Sequence, residues 1–277
     1  MSWLSNADVP SVDSLSRKII ALHPAGVDVS PYLKQLMAWK NTPGQATWGA
    51  YDHLGTSFPD TPLALNAIRV SGYSYPGQIN ELDRSVFCHI LWSQYANVGS
   101  WPYFEMADSR QIPSFYAPGM LPMAHNVLEL IAIKAATGWD SRPCVENRQV
   151  AGVTWVPQSL TTAINAGATW MLTKKNADGG FGDGGVSTVL ETAIANQVVR
   201  VMAPVSGTAT GIVDYFIARQ AVDGSWNGSA LQTAWVLKTL PAPSVALTDS
   251  DTDGIPDAIE TILGTNPAVI DNRWLAN

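Results

Sequence analysis

The chain has 277 residues, enough for one large domain or two, and 46% of them are apolar while only 14% are charged, against about 25% charged in an average soluble domain. The net charge of −7 is concentrated, because Asp249, Asp251, Asp253, Asp257 and Glu260 fall within twelve residues and leave the remainder near −2. No basic run or stripe offers the electrostatic footprint of a nucleic-acid binder, and no apolar run is long enough to span a bilayer.

The polar surface must come from Ser, Thr, Asn, Gln and Gly, a bias that accompanies extracellular bacterial proteins. No signal peptide opens the sequence. Met1-Ser2-Trp3-Leu4 already reads as part of a repeat, so we expect a processed chain whose targeting segment is missing, and a secreted or cell-surface location.

In chain order the apolar periodicity predicts two alternating kinds of helix. Inner helices, apolar on most faces, are expected near 11–22, 59–71, 121–137, 187–202 and 228–240. Outer, more amphipathic helices are expected near 30–41, 79–96, 158–175 and 207–220. An aromatic loop with four prolines runs from Trp101 to Pro122, and 138–157 reads as an irregular insertion. Pro241-Ala242-Pro243-Ser244 ends the helical pattern, which places a domain over 1–240 and a tail over 241–277.

The helices belong to a repeat. Trp170 to Phe181 and Tyr215 to Trp226 match at an offset of 45 residues, with Asp178-Gly179 meeting Asp223-Gly224. Each block reads as the end of an outer helix, a tight Asp-Gly turn, and an aromatic that folds back onto the hairpin. Looser copies run from Leu36 to Trp48 and from Leu91 to Trp101.

The Asp-Gly-Ser-Trp and Asp-Gly-Gly-Phe-Gly turns, followed by a Glu/Gln-Thr-Ala helix start, resemble the prenyltransferase/squalene-oxidase repeat family over about 1–240. The segment from Gln220 to Trp226 looks like that family's Gln-Trp motif. The resemblance implies an all-α fold, an α/α toroid of helix hairpins in which inner helices make a barrel around a central cavity. Five hairpins, the first lacking its outer helix, are fewer than the six or so that close such a ring, so we expect an incomplete one. Enzymes of the family carry motifs this chain lacks: the Asp-x-Asp-Asp acid of class II terpene cyclases, the zinc ligands of protein prenyltransferases, and the Gly-Cys-Gly-Glu-Gln thioester run.

Asp249 to Glu260 satisfies the twelve-residue EF-hand pattern, with Asp249, Asp251 and Asp253 at positions 1, 3 and 5, Gly254 at the sharp turn, Asp257 at 9 and Glu260 at 12. The Ile255 carbonyl would be the position-7 ligand. This donor set predicts a Ca2+ site, and the Asp-Gly-Ile-Pro-Asp run followed by Gly264-Thr265-Asn266-Pro267 resembles thrombospondin type-3-like calcium repeats. A solvated acidic linker is the plain alternative.

Aligned inner helices place Ser14, Asp60, His125, Glu191 and Gln232 at one equivalent position. Asp60, His125, Glu191 and Gln232 are therefore candidates for a polar cavity rim, against the simpler account that they cap helix N-termini. Trp101, Tyr103, Phe104, Phe115 and Tyr116 could line a cavity or a sugar-binding face, against simple core packing. Cys88 and Cys144 are either a disulfide or buried thiols.

The leading functional expectation is a non-catalytic extracellular calcium-binding module for surface attachment or assembly, with a protein, a surface or a second copy as partner. The alternatives are a toroid that carries a small-molecule ligand and a divergent terpene cyclase or polysaccharide lyase.

Overall fold

A computed structural model describes residues 7–41, 47–52, 54–72, 79–94, 99–103, 118–140, 144, 148–150, 153–155, 159–202, 211–240, 250–251, 266 and 268–269. Two compact units divide the chain, Met1–Lys238 and Thr239–Asn277.

In the first unit the inner helices are α1 (Val12–Leu22), α3 (Asp60–Val70), α5 (Met120–Thr137), α7 (Val189–Met202) and α9 (Ala230–Thr239). The outer helices are α2 (Ser30–Ala38), α4 (Ile79–Trp92), α6 (Leu160–Leu172) and α8 (Ile212–Ile217). Successive inner helices pack on one another, α1 on α3, α3 on α5 and α5 on α7, while α2, α4, α6 and α8 lie against them from outside. This is the α/α toroid arrangement, all-α apart from one short ribbon. That ribbon pairs β1 (Arg148–Val150) with β2 (Val153–Trp155) in antiparallel register, Arg148 opposite Trp155. It falls in 138–157, the segment expected to be irregular.

The repeat turns work as clamps. In the Asp-Gly hairpins Gly179 and Gly224 take φ of +84° and +81°, which a side chain would disfavour. The aromatic that follows is buried and pinned from both sides. Trp48, Trp101 and Trp226 donate their indole N–H to the carbonyls of Leu36, Ile90 and Phe216 in the last turns of the outer helices, at 2.7, 2.7 and 2.8 Å. The Ile90 and Phe216 carbonyls also accept the backbone N–H groups of Ser93 and Arg219. The backbone N–H groups of Trp48, Phe181 and Trp226 donate to the hydroxyls of Thr61, Thr192 and Thr233 on the following inner helix. One aromatic and one threonine thereby join the hairpins at Trp48, Phe181 and Trp226.

Cys88 and Cys144 form a disulfide across a sequence separation of 56, tying α4 to the segment that precedes the ribbon. In the second unit the predicted calcium ligands Asp249, Asp253, Ile255, Asp257 and Glu260 lie outside the described residues, as do the neighbours of Asp251 on its C-terminal side. Phe104, Phe115 and Tyr116 of the aromatic loop lie outside them as well.

Candidate functional site

All five inner helices contribute to one cavity of about 440 Å³, within the roughly 300–1,000 Å³ usual for small-molecule sites. Helical spacing explains how. Arg17, Ile20 and Ala21 share a face of α1; Pro62, Asn66 and Arg69 share one of α3; His125, Leu128, Glu129 and Ala132 share one of α5. Gln197 comes from α7, and Leu231, Ala234, Trp235 and Lys238 from α9. The inner helices are apolar on most faces because each packs against neighbours and also walls this space. Side chains from all five inner helices line this one space. The array returns on itself through Trp235, whose ring lies 5.0 Å from the Arg17 guanidinium of α1 and stacks with His125 of α5 at 6.4 Å.

Charge on the wall is arranged in pairs. Arg69 grips Glu129 side-on, Nε to Oε1 at 3.0 Å and Nη2 to Oε2 at 3.1 Å, and the Glu129 side chain is only 3% exposed. Arg17 holds Asp13 one turn earlier on α1 at 2.8–2.9 Å.

Two of the lining residues each carry a polar atom that is left over. His125 Nε2 and Gln197 Nε2 are buried with no hydrogen-bond partner among the described residues. His125 Nδ1 sits 3.1 Å from the Pro59 carbonyl. A carbonyl can only accept, so Nδ1 carries the hydrogen and Nε2 presents a lone pair. Burial, with help from the Arg17 charge, pushes the His125 pKa down to about 4, so the ring is neutral at pH 7.

The aligned position of the inner helices is mostly a capping position. Ser11 and Ser14 form a reciprocal capping box. Thr188 bonds Glu191, the Glu191 N–H returning the bond at 3.2 Å, and burial raises the Glu191 pKa. Gln232 donates its N–H to Ser229 and accepts from Asn227. The Ser57 hydroxyl donates to Asp60 in the same way. Glu191 and Gln232 are thus held at their own helix starts, and of the four candidates only His125 lines the cavity. His125 departs because α5 begins at Met120, which places it in the second turn. Pro122 is tolerated there since first-turn N–H groups have no helical partner.

Asp60 is raised to about 6, chiefly by burial and also by the Asp13 charge, with Ser57 opposing. The two shifts act on stability in opposite directions. The His125 contribution is full above pH 6.5 and lost as pH falls through 4. The Asp60 contribution is full below pH 3.8 and lost as pH rises through 6. The wild type is expected to have a shallow melting-temperature profile between those limits. Removing His125 titration with His125→Asn should make the melting temperature climb on acidification, and Asp60→Asn should make it drop. Parallel profiles for all three proteins would refute the opposed titrations.

Sequence reasoning missed Arg17, Arg69, Glu129, Gln197, Trp235 and Lys238. Their signal was the recurrence of charged residues at i, i+4 or i+7 on helices otherwise read as buried, such as Arg69 after Pro62 and Lys238 after Leu231. Among the described residues no group of three His, Cys, Asp or Glu side chains is placed to hold a metal ion, and no helix is long and apolar enough to cross a membrane.

No family profile matches the chain and no curated protein matches it in sequence. Solved structures of the type II terpene cyclase MstE from Scytonema are similar in shape. The apo form superposes with a TM-score of 0.40 at 12% identity over 79% of this chain and 73% of that one. A variant in complex with merosterolic acid A gives 0.37 at 13% identity over 80% and 73%. The assignment of this chain as an all-α toroid rests on its own hairpin order and on the cavity its five inner helices share.

Proposed function

We propose that the protein is a ligand-binding toroid that takes a small, largely apolar molecule into the barrel. The observation that carries this is the convergence of five inner helices on one cavity lined by Leu63, Leu128, Leu231 and Trp235, with His125 and Gln197, whose Nε2 atoms have no partner among the described residues, also on its wall. Buried polar atoms are seldom left unpaired, so a ligand hydroxyl or amide satisfies them. A medium-chain alcohol such as 1-decanol should raise the melting temperature of the wild type, because ligand bound to the native state adds to its stability. Ala132→Trp, which fills the space, should abolish that rise while the free protein melts much as before. Equal shifts in both proteins would place binding elsewhere.

A catalytic version of the same reading, a divergent cyclase or a polysaccharide lyase, draws on Asp60, whose buried carboxyl holds its proton up to about pH 6 and feels the charge of the cavity-lining Arg17. Asp60→Asn would then stop turnover and leave ligand binding in place.

For the tail we propose a structural Ca2+ site at Asp249, Asp251, Asp253, Ile255, Asp257 and Glu260. Five carboxylates and a carbonyl fit the oxygen preference of a hard cation, which would supply positive charge to hold the loop together. Extracellular calcium and the Cys88–Cys144 disulfide suit a secreted or surface location. Attachment or self-assembly would be the role of such a module, and Ile217 and Val222 on the last hairpin expose apolar surface that suits it. Calorimetric titration should show calcium binding that Asp251→Ala weakens at least tenfold. Unchanged affinity in that variant would remove the loop as the site.

A further inference from the structure

The clamp bonds set the hairpins in register, and in that register the last one is bare where the others are covered. Leu36, Ile90 and Phe216, which accept the indole N–H bonds, are equivalent positions on the outer helices, and the 45-residue offset adds Met171. Three residues before these stand Leu33, Phe87 and Ala168, at most 8% exposed, and Val213, 37% exposed. Thr61, Thr192 and Thr233 align the inner helices in the same way. Four residues after them come Leu65 and Asn196, at most 3% exposed, and Leu237, 60% exposed. Three residues before them, Phe58 and Val189 are buried and Ala230 is exposed. Ala230 and Leu237 lie two turns apart on one face of α9, and the exposed Val213 and Ile217 lie one turn apart on α8.

The packing order shows what kind of element covers such positions. α1, α3, α5 and α7 each pack against the outer helix that follows them. α9 is followed by no outer helix among the described residues. Repeat arrays end in polar caps where the end faces water, yet this end keeps the apolar pattern of an internal hairpin.

We infer that a second copy of this chain covers the face, with α8 of each copy lying in the outer position beside α9 of the other. The last hairpin carries both halves of that contact, an inner helix followed by no outer one and an outer helix with a bare apolar flank. The contact continues the hairpin-on-hairpin packing of the array into a second molecule. A two-fold axis makes it reciprocal, Val213 and Ile217 of each copy meeting Ala230 and Leu237 of the other. Charge favours this pairing over α8 on α8. Asp214 borders the apolar strip of α8 and Lys238 adjoins Leu237, so α8 on α9 brings opposite charges together, whereas α8 on α8 sets Asp214 against its own copy. The inference rests on the assembly reading proposed above and supplies its partner and its face.

Sedimentation equilibrium of the full chain over a wide concentration range is expected to show the 29.7 kDa monomer in equilibrium with a species of twice that mass. Ile217→Asp and Leu237→Asp place a charge at exposed sites, so the melting temperature of the dilute protein should hold. The dimer dissociation constant should rise at least about tenfold in each, as for a residue central to an interface. A short bismaleimide should join Ile217→Cys to Leu237→Cys when the two variants are mixed, and neither variant to itself. Coupling of Ile217→Cys alone, or none in the mixture, overturns the α8–α9 pairing. A lower melting temperature for dilute Leu237→Asp would mean a cover from within the same chain and overturns it as well. Self-association that both aspartate variants leave unchanged overturns this face and leaves the assembly reading standing. A wild type that stays monomeric throughout overturns both.

Discussion

Trp48→Ala is expected to destabilise the first unit by about 3–5 kcal/mol, the range for removing a large buried aromatic. Trp48 is fully buried, its indole N–H donates to the Leu36 carbonyl at 2.7 Å, and its backbone N–H meets the Thr61 hydroxyl at 3.1 Å. Alanine keeps the backbone bond but opens a cavity between α2 and α3 and leaves the Leu36 carbonyl without its donor. Trp48→Phe separates these effects. It retains most of the ring volume and loses the N–H, so it should cost about 1–3 kcal/mol, the penalty of an unsatisfied buried acceptor. Urea denaturation of the three proteins measures both. If Trp48→Ala costs less than about 1 kcal/mol, the turn aromatic is not what joins the hairpin. Because Trp226 makes the same two contacts, to the Phe216 carbonyl and the Thr233 hydroxyl, Trp226→Ala should behave alike on the last hairpin, with a smaller loss where α8 is only one and a half turns long.

The second large effect concerns the Cys88–Cys144 bridge. Closing a loop with a sequence separation of 56 removes unfolded-state entropy worth about 4 kcal/mol on the chain-entropy relation. Reduction, or the Cys88→Ala/Cys144→Ala pair, is therefore expected to lower the melting temperature by roughly 10 °C, at about 2–4 °C per kcal/mol for a chain of this size. Cys88 is itself buried on α4, so the double alanine variant also loses a little packing. Comparing it with the reduced wild type separates that loss from the loop constraint. A wild-type melting temperature indifferent to reductant would mean that the bridge adds nothing. A large shift would also tie the protein to an oxidising compartment, because a bridge that supports the fold is of no use where thiols are kept reduced.

Much of the scaffold was readable from neighbours in the chain. The inner-helix windows agree with the observed helices to within two or three residues, as in α1, expected near 11–22 and found at Val12–Leu22. Capping was readable too. Ser11 and Ser14, Thr188 and Glu191, and Ser229 and Gln232 are all three apart, the spacing at which a side chain reaches the first free N–H groups. His125 broke the alignment because a proline three residues earlier sits inside the first turn of a helix that starts sooner than the repeat implies.

The amino-acid sequence by itself determined the helix alternation, the Asp-Gly turns and the aromatics that close each hairpin, since these follow from helical period, φ preferences and contacts a few residues apart. Only the tertiary structure decided that all five inner helices line one cavity and what that cavity holds. Arg69 meets Glu129 across 60 residues, and Trp235 meets Arg17 and His125 from the far end of the repeats. No local rule pairs such residues. Their partnership depends on how each helix is rotated against its neighbours, and that rotation is set by tertiary packing, in which α3 and α5 must each satisfy two inner neighbours and the cavity wall at once.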